Sequence, residues 1–153
     1  MSNQWHPNVT VAAVVENEGR FLFVEERHKE RLVINQPAGH LEDNETLIEA
    51  VVREVYEETQ HRFEPQFFIG VYRLRMPAEA ITYLRFCFSG ISAGVDSRRP
   101  RDSEIERVLW LSRADLESYN NLRSALVTQC IDDYLEGRRF PLSLCADAAR
   151  RGT

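Results

Sequence analysis

One helical pattern set among strand-like runs constrains this chain more than any other feature. Between Glu45 and Thr59 the apolar residues Leu47, Ala50, Val51 and Val55 recur at helical spacing. Before that segment lie "VTVAAVVE" (9–16), "RFLFVEE" (20–26) and "RLVINQPAG" (31–39). After it lie "QFFIGVYRLRM" (66–76), "AITYLRFCFSG" (80–90) and "IERVLWL" (105–111). These runs are β-branched and aromatic, as strands are. A lone amphipathic helix among strands must bury its stripe on a sheet. Asn17-Glu18-Gly19 marks a hairpin, Pro37 and Gly39 end the third strand, and Pro65 keeps the helix from running on. "SRAD" (112–115) is a capping-box signature opening a short helix, and a second helix spans Ser124 to Glu136 with Gly137 as its C-cap. The order predicts an α/β (α+β) fold, a mixed central sheet covered on both faces by helices. With 153 residues, no repeat and no linker, a single domain over 1–153 is expected.

The same helix carries "REVYEE" (53–58). With Glu54 as origin, Glu57 lies near about −60° and Glu58 near about +40° on an ideal helical wheel, while Leu47, Ala50 and Val51 fall at about +20°, −40° and +60°. The carboxylates therefore continue the apolar stripe to the rim of the core, whereas a merely solvated face would lie opposite it. Like charges four apart, close to the negative end of the helix dipole, destabilise a bare helix. A hard divalent cation, Mg²⁺ or Mn²⁺, is the natural compensating group. On the helix alone, an ion-paired surface neutralised by Arg53 and Arg62 explains the acids equally well.

Charge and cysteine content remove other classes. The net charge of −5 disfavours binding to long nucleic acid, which needs clustered Lys and Arg. Cys87, Cys130 and Cys145 form no C-x-x-C pair, so neither a zinc knuckle nor a disulfide framework is indicated. The longest apolar run, Val9 to Val15, is too short to span a bilayer, and no signal-peptide pattern opens the chain. A cytoplasmic protein, monomeric or homodimeric, with neither a membrane nor a polymer as partner is expected.

The stretch "GHLEDNETLIEAVVREVYEETQH" (39–61) resembles the Nudix box. Gly39, Glu45, Arg53, Glu54, Val55, Glu57 and Glu58 match at the motif's spacing, and Gln60 and His61 stand where the motif has glycine and an aliphatic residue. "NQPAGHLE" (35–42), "YLRF" (83–86), "DSEI" (102–105) with Trp110, "NNLRS" (120–124) and "GRRFPLSL" (137–144) extend the resemblance to the NudJ branch. The resemblance implies an α/β/α sandwich and a Mg²⁺-dependent hydrolase of nucleoside tri- and diphosphates and of the thiamine pyrimidine pyrophosphate. It implies that Glu54, Glu57, Glu58 and the Gly39 carbonyl hold the metal, and that Arg53 orients them and pairs with Glu45. The general base stays open between Glu54, Asp102 and Glu104.

Substrate contacts are read from the residues. Gln36, at a strand end, is a candidate for reading a ring edge. Tyr83 and Arg85 share a strand face, one suited to stacking and the other to phosphate. Arg123 is placed at a helix start, a position that favours anions. A small phosphorylated heterocycle is the expected ligand. A house-cleaning triphosphatase, a dinucleoside polyphosphate hydrolase and a non-catalytic nucleotide sensor are the alternatives; the intact Arg-Glu and Glu-Glu pairs argue against the sensor.

Overall fold

The computed structural model describes residues 3–148. Seven strands and two α-helices follow in the order β1 (Asn8–Asn17), β2 (Arg20–His28), β3 (Arg31–Asn35), β4 (Ala38–His40), α1 (Leu47–Thr59), β5 (His61–Met76), β6 (Ile81–Val95), β7 (Ile105–Leu111) and α2 (Leu126–Leu135). The sheet is mixed: β1 and β6 run parallel, and the other pairs are antiparallel. It splits into two parts, β4–β1–β6–β5 and β3–β2–β7, joined where β1 and β2 pair at Glu16↔Phe21 and Asn17↔Arg20. The expected third strand crosses this split. It leaves β2 after Asn35 and resumes on β1 as β4, with Gln36 and Pro37 as the step between.

The unbroken apolar run of β1 is explained by burial on both faces. Val11, Ala13 and Val15 pack with Ala50, Val51 and Val55 of α1, while Ala12 and Val14 pack with Leu126, Val127, Cys130 and Ile131 of α2. Cys87 and Cys130 are buried as small core residues.

Helix α1 starts two residues later than expected because Thr46 caps it. The Thr46 hydroxyl accepts from the Glu49 N–H, and the Glu49 carboxylate accepts from the Thr46 N–H, each at 3.0 Å. Glu45 thus lies outside the helix. At the other end Gln60 takes the left-handed conformation (φ 64°) that the absent glycine would have supplied, and its N–H bonds the Tyr56 carbonyl.

Three expectations change. The strand expected from Gln66 begins earlier, at His61, directly after the helix, and β5 runs through Pro65. Proline is tolerated there because β5 is an edge strand and the register slips between Pro65 and Phe67. The Ser112–Asp115 pair does form reciprocal bonds, but the turn it opens, Asp115–Ser118, is 3₁₀ rather than α. Helix α2 begins at Leu126, so Arg123 precedes it, in a segment bridged to β3 through Ile34↔Leu122.

Candidate active site

The split in the sheet opens as a cleft of about 760 Å³. Gly39, Arg53, Glu54, Glu57, Glu58, Tyr83, Arg85, Asp102, Glu104 and Arg123 all line it. Their sequence positions are far apart. They meet because β4, the rim of α1, the first third of β6, the loop before β7 and the segment before α2 converge where the two parts of the sheet separate.

Among the acids, Arg53 is the organising group. Its Nε and Nη2 donate to the two Glu45 oxygens at 2.9 and 2.7 Å, Nη1 donates to Glu54 at 2.8 Å and Glu57 at 3.2 Å, and Nη2 reaches the His40 carbonyl at 3.0 Å. A planar five-donor guanidinium satisfies this set; an ammonium would not. The bond from Arg53 holds the Glu45 carboxyl below its ordinary range. Glu54 is 9% and Glu58 5% exposed. Burial raises the pKa of Glu54 against the pull of Arg53, and Glu57 and Asp102 push the same way as burial. Glu58 lies well above the ordinary carboxylate range, chiefly through burial and then through the charge of Glu26, and its Oε1 accepts from the Ala38 N–H at 2.7 Å.

Glu26 is a member of this cluster that the sequence reading missed. It sits on β2, opposite the helix, and burial raises its pKa too. The neighbouring Glu25 points to the other side and is held by Arg107 at 2.9 and 3.0 Å. Strand alternation turns the two acids to opposite faces, a signal local to β2; the distance of Glu26 to α1 depends on the tertiary arrangement. Asp102 is half-buried with a raised pKa, from burial and then from Glu104.

Gly39 faces Glu54 closely. A Cβ on Gly39 would stand 2.2 Å from the Glu54 carboxyl carbon and from Oε1. This close approach explains the glycine sterically.

The same cleft also presents arginines. Arg85 is 7% exposed, donates to Gln36 Oε1 at 3.1 Å and Asn35 Oδ1 at 3.4 Å, and leaves its Nε without a partner. Among the described residues no carboxylate lies within 4 Å of it. Arg123 lies 3.7 Å from Glu26. Tyr83 is half-buried two positions before Arg85 on β6. Gln36 is corrected. It is fully buried, donates to the Val127 carbonyl at 2.7 Å and supports Arg85 from behind, so no face remains to read a ring. Arg123 is corrected as well: it owes its place to the bond from its N–H to the Ile34 carbonyl (2.8 Å), and to no helix terminus.

A model of the NUDIX domain matches residues 5–129. The chain belongs to the Nudix family. Phosphatase NudJ of Escherichia coli strain K12 is 43% identical over 141 residues, 92% of this chain and 92% of that protein. A NUDIX hydrolase from Nitrosomonas europaea superposes with a TM-score of 0.87 at 43% identity, over 94% of this chain and 98% of its own. A MutT NUDIX hydrolase from Burkholderia pseudomallei has a TM-score of 0.73 at 21% identity, covering 84% of this chain and 98% of its own, and shares the fold. The chain is a Nudix hydrolase acting on phosphoric anhydrides. No helix among the described residues is long and apolar enough to cross a membrane.

Nudix hydrolases generally use divalent metals. Among the described residues no three carboxylate, histidine or cysteine side chains converge on one point. The donor set nevertheless fits a hard cation. It consists of carboxylate and carbonyl oxygens, and two of the carboxylates, Glu54 and Glu58, are buried with too little positive charge near them.

Proposed function

We propose that this chain is a Mg²⁺-dependent pyrophosphohydrolase, with Mn²⁺ as a substitute, of small phosphorylated heterocycles: nucleoside tri- and diphosphates and the thiamine pyrimidine (hydroxymethylpyrimidine) pyrophosphate. The observation that carries the reading is the mixed charge of one cleft. Buried carboxylates and a buried arginine without an acidic partner line the same cleft. Such a cleft suits a substrate whose phosphates bridge a metal and a fixed cation.

Glu54, Glu57, Glu58 and the Gly39 carbonyl would hold the ion. When bound, Mg²⁺ supplies the charge neutralisation that attack on a diphosphate requires. Arg53, braced by Glu45, sets the directions of Glu54 and Glu57. Arg85 and Arg123 bind non-bridging phosphate oxygens, and Tyr83 stacks on the heterocycle. Glu54 and Glu58 already accept hydrogen bonds from Arg53 and Ala38, whereas the carboxylates of Asp102 and Glu104 accept none from the described residues, and Glu104 is the more exposed of the two. We therefore assign Glu104 as the group that takes the proton from the attacking water.

The test is kcat/KM for phosphate release across four nucleotides and the thiamine pyrimidine pyrophosphate, for the wild type and for Glu104→Gln. The reading expects activity on several of these and a fall of about 10² or more in kcat for the variant, the usual size of a lost general base. No turnover on any member of the panel contradicts the substrate class; a wild-type kcat in Glu104→Gln contradicts the assignment of the base.

A further inference from the structure

We propose that Gln60 is a positioning residue for the hydrolysis: its side-chain amide fastens the loop carrying Asp102 and Glu104 to the end of the carboxylate helix. Position 60 is where the Nudix box has glycine. Its backbone is left-handed, at φ 64° and ψ 5°, a conformation that glycine adopts freely and glutamine does not. The side chain adds what glycine lacks. Its Nε2 donates to the Arg99 carbonyl at 2.7 Å.

That bond is the middle one of three. The Gln60 carbonyl accepts from the Asp96 N–H at 2.8 Å, and the Glu57 carbonyl accepts from the Asp102 N–H at 2.9 Å. The last carbonyls of a helix have no partner within it. Here the 96–104 loop supplies two of those partners from its own backbone, and Gln60 returns a side-chain donor to the loop. The tie points fall at 96, 99 and 102, immediately before Glu104. The Arg99 guanidinium, 3.8 Å from Glu57, ties the same point from the opposite direction. Without the amide, Arg99 keeps only that long ion pair to the helix among the described residues, the remaining ties lying at Asp96, which holds Arg98 and Arg62, and at Asp102, and the position of the acids at the loop's far end loosens.

The inference rests on Glu104 acting as the base, so its test includes a measurement independent of that role. Two variants separate the side chain from the backbone. Gln60→Gly relieves the left-handed conformation and removes the amide. Gln60→Glu keeps the length and removes the donor. Both are compared with the wild type and with Glu104→Gln by steady-state kinetics and by hydrogen exchange of the Asp96 and Asp102 amides. The expected result is that both Gln60 variants lose about tenfold in kcat, as small misplacements of catalytic groups do, with KM within about twofold and faster exchange at Asp102, while exchange in the first turns of α1 is unchanged. Wild-type kcat and wild-type exchange at Asp102 in both variants overturn the proposal, as does a loss confined to Gln60→Gly, which would place the effect in the backbone. If Glu104→Gln keeps its kcat, the assignment of the base fails alone, and the exchange at Asp102 still decides the role of Gln60.

Discussion

Replacing Gly39 by alanine tests the steric logic of the site with a single methyl group. The added Cβ would lie 2.2 Å from both the carboxyl carbon and Oε1 of Glu54, where ordinary contact starts at 3.4 Å. The carboxylate must therefore retreat by 3.4 − 2.2 = 1.2 Å. Such a retreat breaks the 2.8 Å bond from Arg53 and moves one proposed metal ligand. Gly39 is not among the glycines with positive φ, so alanine suits its backbone. The methyl meets the far end of a flexible side chain, and an off-rotamer shift costs about 0.5–1.5 kcal/mol. The reduced freedom of the unfolded chain returns about 0.4–1 kcal/mol. Stability should thus change little. Activity should not, since a misplacement of about 1 Å costs about 10²-fold in rate, or about 2.7 kcal/mol of barrier. The assay is kcat/KM for phosphate release at saturating Mg²⁺, paired with a thermal melt. Turnover within a factor of about two of wild type, or a lost rate matched by an equal loss of stability, refutes the reasoning.

Other predictions follow from named contacts. Arg53→Lys keeps the charge but cannot span Glu45, Glu54, Glu57 and the His40 carbonyl, so kcat/KM should fall by about 10- to 100-fold, as for lost supporting contacts around a metal, measured as initial rates across Mg²⁺ concentrations. Tyr83→Ala should raise KM several-fold for every substrate, and Arg85→Ala should cost more with triphosphates than with monophosphate-like analogues; unchanged kcat/KM for both variants returns them to packing roles. Tyr72→Phe removes the 2.6 Å hydrogen bond to buried Asp133 and should cost about 1–3 kcal/mol in denaturant unfolding, the range for a buried polar group that loses its partner.

What the sequence disclosed was set by local periodicity. The 3.6-residue repeat fixed Glu54, Glu57 and Glu58 on the stripe of Ala50 and Val51, and the fold puts that stripe on β1 with the acids at its rim. The continuous apolar run of β1 was readable as a strand for the same reason. The failures involve contacts between distant segments. Gln36 looked like an exposed strand end, but the chain crosses there from one part of the sheet to the other and α2 closes over it. The strand after the helix reads from the sequence as starting at Gln66, beyond Pro65, yet β5 starts at His61, and its edge position makes the proline within it tolerable. Arg123 reads as a helix start, yet pairing with Ile34 captures that segment first. Glu26 joins the cluster through packing alone.

The central claim is that the buried carboxylates hold a divalent ion on which turnover depends. The most direct measurement follows phosphate release by the wild type in EDTA and then during stepwise addition of Mg²⁺, with Glu58→Gln alongside. In the wild type, turnover should vanish in chelator and return with Mg²⁺, and the melting temperature should rise as the ion saturates the native state. Glu58→Gln keeps an acceptor for the Ala38 amide and loses a buried charge, so it should melt no lower than the metal-free wild type while failing to recover activity at Mg²⁺ levels that saturate the wild type. Undiminished turnover of the wild type in chelator would contradict the account.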